Sequence, residues 1–183
     1  MVDTLVNDGF TTVEVAWDSP GIWGGARART LACRYATVAR WIHSNIHQAG
    51  PGTIFVAQGT SGGAAQIAYG LAYYGLDEIT DLANLGGGPP NCPLCSPTPG
   101  FGLEPLLSGT PRLHYPSTLV RFFLGQNDPK YEEYKADANA YYKAITSAKS
   151  FRTLPNTEHN VEFTPEGQAA LIAAVREAAG AAR

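Results

Sequence analysis

Three side chains, far apart along the chain, are of types that do chemistry together. Ser61 lies in Gly59-Thr60-Ser61-Gly62-Gly63, a G-x-S-x-G string. A serine hydroxyl is a weak nucleophile unless a base takes its proton and a third group orients that base. His159, in Asn156-Thr157-Glu158-His159-Asn160, is the candidate base, and Asp128, after Leu124-Gly125-Gln126-Asn127, is the candidate orienting acid. Together a serine, a histidine and a carboxylate suit nucleophilic attack on a carbonyl carbon. Each residue also has a plainer reading. Ser61 could cap a helix in a Gly-rich turn, and His159 could be a surface histidine. Asp128-Pro129 is also an ordinary N-cap and first-position pair; the two roles need not exclude each other in space, though one carboxylate is not expected to do both well. Glu158, beside His159, is a fallback acid. His43 and His47, four apart on one helix, read as packing or solvent-facing residues. A phosphate loop is disfavoured, because no Lys-Ser/Thr pair follows the glycines and the G-x-G-x-x-G spacing is absent.

The surrounding elements must bring these residues together. Thr11 to Trp17 is β-branched and bounded by Gly9 and by Asp18-Ser19-Pro20-Gly21, which predicts a strand. Leu31, Tyr35, Val38, Ile42 and Ile46 step by three or four and predict one face of a helix over 26–48. Thr53 to Ala57 predicts a strand buried on both faces. A helix of small residues then follows the G-x-S-x-G string to about Tyr74. A strand-to-helix turn at Ser61 would lift its hydroxyl out of the sheet and set it at a helix N-terminus, with glycines letting strand and helix approach. A weaker strand is expected at 79–85, a strand at 119–124 and a short final strand at 150–154. Helices are expected over 130–149, facing inward with Tyr131, Tyr134, Ala138, Tyr141 and Ile145, and from Thr164-Pro165-Glu166 almost to the end. Alternating strands and helices predict an α/β fold with a mainly parallel sheet, a single domain over 1–183 and ligands beyond the C-terminal strand ends. Residues 86–117, dense in Gly and Pro, form the longest irregular stretch, and such stretches are often functional.

The turn at Ser61, the acid after the next-but-one strand and the histidine before the final helix jointly resemble the α/β-hydrolase superfamily, esterase- or lipase-like, from about residue 11 to 183. The resemblance implies a three-layer sandwich and hydrolysis of carboxylic esters through an acyl-Ser61 intermediate. His159 would shuttle the proton and Asp128 would hold the imidazole. The same triad serves amide cleavage and acyl transfer. The pattern departs from the family at its start. The family places three strands and a helix before the strand expected at 11–17, and the third of those strands ends in a Gly-rich oxyanion loop. If strand 11–17 moves over one slot, the sheet has about five strands and residues 18–23 replace that loop. The Gly62 N–H and a group at Ser19 would then be the oxyanion donors. The 86–117 stretch falls where the family inserts a lid. Phe101, Leu103, Leu106, His114 and Tyr115 would line an acyl site there, with Trp17 and Trp23 opposite. Apolar surface left by the absent elements predicts a homodimer or larger assembly. The alternative is a catalytically inert hydrolase-like module that serves interaction.

Composition bounds these readings. The 183 residues are 44% hydrophobic and 16% charged, which is a globular balance able to bury a core. The net charge of −3 offers no basic footprint for nucleic acid or an anionic membrane surface. No apolar run reaches the ~18 residues of a membrane span. Cys33, Cys92 and Cys95 lack the partners of a four-ligand zinc site, so no metal is expected. Two of the three cysteines forming a disulfide and all three staying thiols both remain open. No cofactor is implied, and the partner expected is a small or polymeric ester. Met1-Val2-Asp3-Thr4 has neither a basic nor an apolar leader segment, which leaves localisation open, including secretion of a longer form.

Overall fold

The computed structural model describes residues 1–17, 28–87, 106, 107 and 109–181. The elements run α1 (Val2–Asn7), α2 (Ala28–Asn45), β1 (Val56–Thr60), α3 (Gly62–Tyr74), β2 (Leu82–Gly86), β3 (Leu119–Gly125), α4 (Tyr131–Ala144), β4 (Lys149–Leu154) and α5 (Pro165–Ala181). Single 3₁₀ turns at Leu76–Glu78 and Val161–Phe163 precede β2 and α5. The sheet is parallel in the order β1-β2-β3-β4, with Thr60 opposite Gly86 and Gly125 opposite Leu154.

The period-2 alternation of the strands divides the core into two layers. Ala83 and Leu85 on β2 and Val120, Phe122 and Leu124 on β3 face a large cluster shared with α2, α3 and α4. Leu82 and Phe123 point the other way, toward Leu5 of α1 and Leu171, Ala174 and Val175 of α5. The result is the expected α/β three-layer arrangement. α4 buries the predicted face, with Ala138, Tyr141 and Ile145 in the core and Tyr131 and Tyr134 partly covered. α2 instead buries its small residues, Ala32, Ala36 and Ala39, which let it lie close to α3, itself lined with alanines.

One predicted strand does not form. Residues 11–17 make no ladder, and Val13 and Val15 are 45% and 36% exposed. β-Branched residues favour a strand only where a neighbouring edge takes up their hydrogen bonds and a face covers their side chains. The described sheet therefore has four strands where about five were expected, and β1 is an edge strand. Of the run expected to be buried on both faces, only Ala57 is buried. Phe55 lies outside the ladder and meets the rings of His43 and His47, so both histidines are packing residues.

Asp137 sits among the buried residues of α4, only 8% exposed. Burial, and then the Glu133 carboxylate, push its carboxyl up to about 6 from an ordinary 3.8. A carboxyl raised in the folded state favours folding at low pH. That contribution is complete below the unfolded value and is lost as pH rises through about 6. Asp137→Asn cannot ionise. It should raise the melting midpoint over the parent at pH 7.5 and lose that advantage at pH 4. An equal difference at both pH values would refute this account.

Candidate active site

The four strands are parallel, so every loop leaving a strand's C-terminal end opens on one rim. Ser61 follows β1, Gly87 follows β2, Asp128 follows β3 and His159 follows β4.

Ser61 occupies the sharp turn between β1 and α3 with φ 54° and ψ −115°. A non-glycine residue there costs on the order of 1–3 kcal/mol and persists only when its surroundings hold it. Its N–H donates to the Gly86 carbonyl at 3.0 Å, which ties the turn to β2. Its carbonyl accepts the Ala65 N–H at 3.0 Å and starts the helix. The two flanking glycines are not equivalent. A Cβ on Gly59 would meet the Gly63 carbonyl carbon at 2.6 Å, whereas one on Gly63 would meet nothing within 4 Å. Strand and helix thus close on the Gly59 side alone. Gly62 opens α3, in the first turn, where N–H groups have no acceptor within the helix.

The Asp128 and His159 side chains meet directly. Nδ1 of His159 and Oδ2 of Asp128 are 2.7 Å apart, a charge-assisted hydrogen bond with the carboxylate accepting. The Asp128 side chain is 6% exposed and that of His159 is 27% exposed. Oδ1 of Asp128 accepts the Lys130 N–H at 2.8 Å, and its carbonyl accepts the Tyr131 N–H. The carboxylate therefore does both jobs that seemed to compete. Its two oxygens point apart, one closing the turn into α4 and the other reaching the imidazole. Glu158 is exposed and takes no part.

The His159 loop is anchored on β3. Asn127 N–H donates to Thr157 O at 2.9 Å, and Thr157 is fully buried. The loop crosses Gly125 so closely that a Cβ there would stand 2.1 Å from Glu158 O. A Cβ on Gly87 would lie 3.1 Å from Cε1 and 3.3 Å from Nδ1 of His159. Gly86 binds Ser61 and its neighbour Gly87 borders His159, so the end of β2 lies between the nucleophile and base candidates. Among the described residues no hydrogen bond engages the Ser61 hydroxyl or Nε2 of His159. The sequence reading missed Gly87 and Gly125. Their only local sign was a glycine just at or past a strand end.

Two expected pocket residues, His114 and Tyr115, fall elsewhere. His114 and Tyr115 lead into the start of β3 and so lie at the opposite rim. His114 is exposed, with Nδ1 2.8 Å from Thr146 Oγ1. Tyr115 is fully buried and its hydroxyl meets that of Tyr141 at 2.8 Å. Burial pushes the Tyr115 phenol far above its usual range, as core packing demands. Neither lines a site at the Ser61 rim. The reason is topological: a parallel connection must cross from the end of β2 to the beginning of β3, so its last residues reach the far end of the sheet. Leu106 is buried in the core, its carbonyl accepting from the Tyr73 hydroxyl at 2.7 Å. Trp17 is half-buried and its Nε1 donates to Oε1 of Gln66, on α3 five residues past Ser61, at 3.0 Å. Ser19, Trp23, Phe101, Leu103, Cys92 and Cys95 lie outside the described residues. Cys33 is exposed and free. Among the described residues no three His, Cys, Asp or Glu side chains converge as metal ligands, and no helix is long and apolar enough to cross a membrane.

Solved structures carry the same layers. An alpha-beta serine hydrolase homologue from Coxiella burnetii superposes with a TM-score of 0.52 at 15% identity, over 92% of this chain and 64% of that one. The chain carries the α/β-hydrolase fold. Native esterase 2 from Thermogutta terrifontis superposes with a TM-score of 0.52 at 16% identity, over 84% of this chain and 63% of that one. The same esterase phosphoramylated by tabun gives 0.52 at 16% identity, over 86% and 64%. This chain thus spans a little under two thirds of the length of these α/β-hydrolase structures. No protein-family model matches it, and neither does any curated protein.

Proposed function

We propose that this protein is a serine hydrolase that cleaves carboxylic esters, with Ser61 as nucleophile, His159 as base and Asp128 as orienting acid. The observation that carries the reading is the 2.7 Å Asp128–His159 hydrogen bond on the rim where Ser61 stands strained at a helix N-terminus. The Asp128 carboxylate accepts a hydrogen bond from Nδ1–H, which leaves the Nε2 lone pair free to accept a proton. In the first step the Ser61 hydroxyl oxygen bonds to the ester carbonyl carbon. Its proton passes to Nε2, and the carbonyl π pair moves onto oxygen. The Gly62 N–H is the proposed donor to that oxyanion, with a group at Ser19 as its partner. Collapse expels the alcohol, which takes the proton from Nε2, and leaves acyl-Ser61. Water repeats the sequence and releases the acid. Esterase and serine hydrolase neighbours of the same fold support this choice of chemistry.

A fluorophosphonate probe tests the reading. Stoichiometric labelling of the parent, absent in Ser61→Ala, is the expected outcome, and p-nitrophenyl esters from acetate to palmitate then size the acyl site. A second reading is an inert hydrolase-like module, favoured by the Ser61 hydroxyl making no hydrogen bond to His159. Folded protein that resists the probe would select it. Surface left at the β1 edge is proposed to bring two or more copies together, which light scattering checks.

A further inference from the structure

The imidazole of His159 is held by more than Asp128. Tyr134, in the first turn of α4, lays its ring against it, with centroids 4.7 Å apart and planes inclined by 32°. A Cβ on Gly87 would stand 3.1 Å from Cε1 and 3.3 Å from Nδ1 of the imidazole, and the glycine leaves that space open. Asp128 and Tyr134 belong to one local unit. The carboxylate closes the turn into α4 through the Lys130 N–H, and Tyr134 N–H bonds to Lys130 O at 3.0 Å. The segment that delivers the carboxylate therefore also delivers the ring. Tyr134 is partly covered by the core, which limits the ring's freedom.

We infer that Tyr134 is a positioning residue that fixes the His159 ring and stabilises the imidazolium formed when Ser61 gives up its proton. The inference rests on the proposed role of His159. An aromatic face attracts a cation within about 6 Å of its centroid, an attraction added to the ordinary contact between two neutral rings. The attraction therefore appears as the proton arrives at Nε2 and speeds the chemical step without tightening substrate binding. The ring's face does this work, not its hydroxyl, which has no hydrogen bond among the described residues. The charged groups near this pair are Asp128 on the β3–α4 loop, Lys130, Glu133 and Asp137 on or beside α4, and Glu158 on the histidine's own loop.

Three variants and two readouts test this. Tyr134→Leu keeps apolar bulk and loses the ring. It should lower kcat about 2- to 30-fold, the span of a cation–π contact of ~0.5–2 kcal/mol, with KM unchanged. Tyr134→Phe should recover the parent kcat to within about twofold. A rise in KM with kcat intact, or failure of Phe to rescue, would overturn the inference. The second readout needs no turnover. The proton between Nδ1 and Asp128 gives a downfield NMR resonance, and its exchange with water should quicken in Tyr134→Leu but not in Tyr134→Phe. Asp128→Ala, which removes the acceptor, assigns the resonance by abolishing it. An inert protein that shows this exchange pattern would refute the hydrolase reading and keep the ring's positioning role. An active protein in which Leu changes neither kcat nor exchange would refute the inference alone.

Discussion

Asp128→Asn is expected to cut ester hydrolysis by about 10⁴-fold while the melting midpoint moves little. The two oxygens of Asp128 have different partners, and this fixes how the amide must sit. The Lys130 N–H needs an acceptor, so the asparagine oxygen takes that place. The amide NH₂ then faces Nδ1 of His159, where the carboxylate oxygen stood 2.7 Å away. It donates where the carboxylate accepted. Nδ1 must become the acceptor, the proton moves to Nε2, and the nitrogen proposed to receive the Ser61 proton is already occupied. The opposite amide orientation would set two N–H groups against each other at Lys130. Steady-state rates with a p-nitrophenyl ester, beside a thermal melt, check the result. A loss below tenfold in a folded variant would mean that Asp128 does not set the tautomer.

The second large effect comes from a residue with no side chain. Gly125→Ala should destabilise the fold by about 1–3 kcal/mol and remove probe labelling at Ser61. A Cβ at 125 would fall 2.1 Å from Glu158 O and 2.3 Å from Thr157 O, both backbone atoms that cannot rotate aside. The strand end or the loop must move, and the loop carries His159. Gly63→Ala is the matched control. Its Cβ meets nothing, and the substitution trades glycine for a better helix former, so stability should hold or rise by about 0.5–1 kcal/mol. Urea unfolding of the two variants beside the parent decides. Coincident midpoints for both alanines would show that the close crossing at 125 carries no cost.

Legibility in the sequence followed the range of the physics. The small-residue helix after Ser61, the inner face of α4 from Tyr131 to Ile145, and the Thr164-Pro165 start of α5 rest on local periodicity and capping, and the structure has them. The failures concern contacts between distant segments. Residues 11–17 have the composition of a strand but pair with no edge of the described sheet. Whether one carboxylate could serve both the turn and the histidine well was decided only in three dimensions, where the two oxygens of Asp128 take different partners. His114 and Tyr115 seemed to belong with the rest of the 86–117 stretch, yet a parallel crossover has to end at the far side of the sheet.

Residue types and their order along the chain were enough to nominate Ser61, Asp128 and His159, because a nucleophile, its base and an orienting acid are few and their chemistry is fixed by functional group. They were also enough to predict parallel α/β layers, since strand and helix periods differ. What only the tertiary structure decided is which backbone lies beside which. The crossing at Gly125, the glycine wall at Gly87 and the Tyr134 ring against the imidazole all depend on approaches of a few ångströms between segments dozens of residues apart. No local pattern encodes such distances, because they arise when the whole sheet and its helices pack at once.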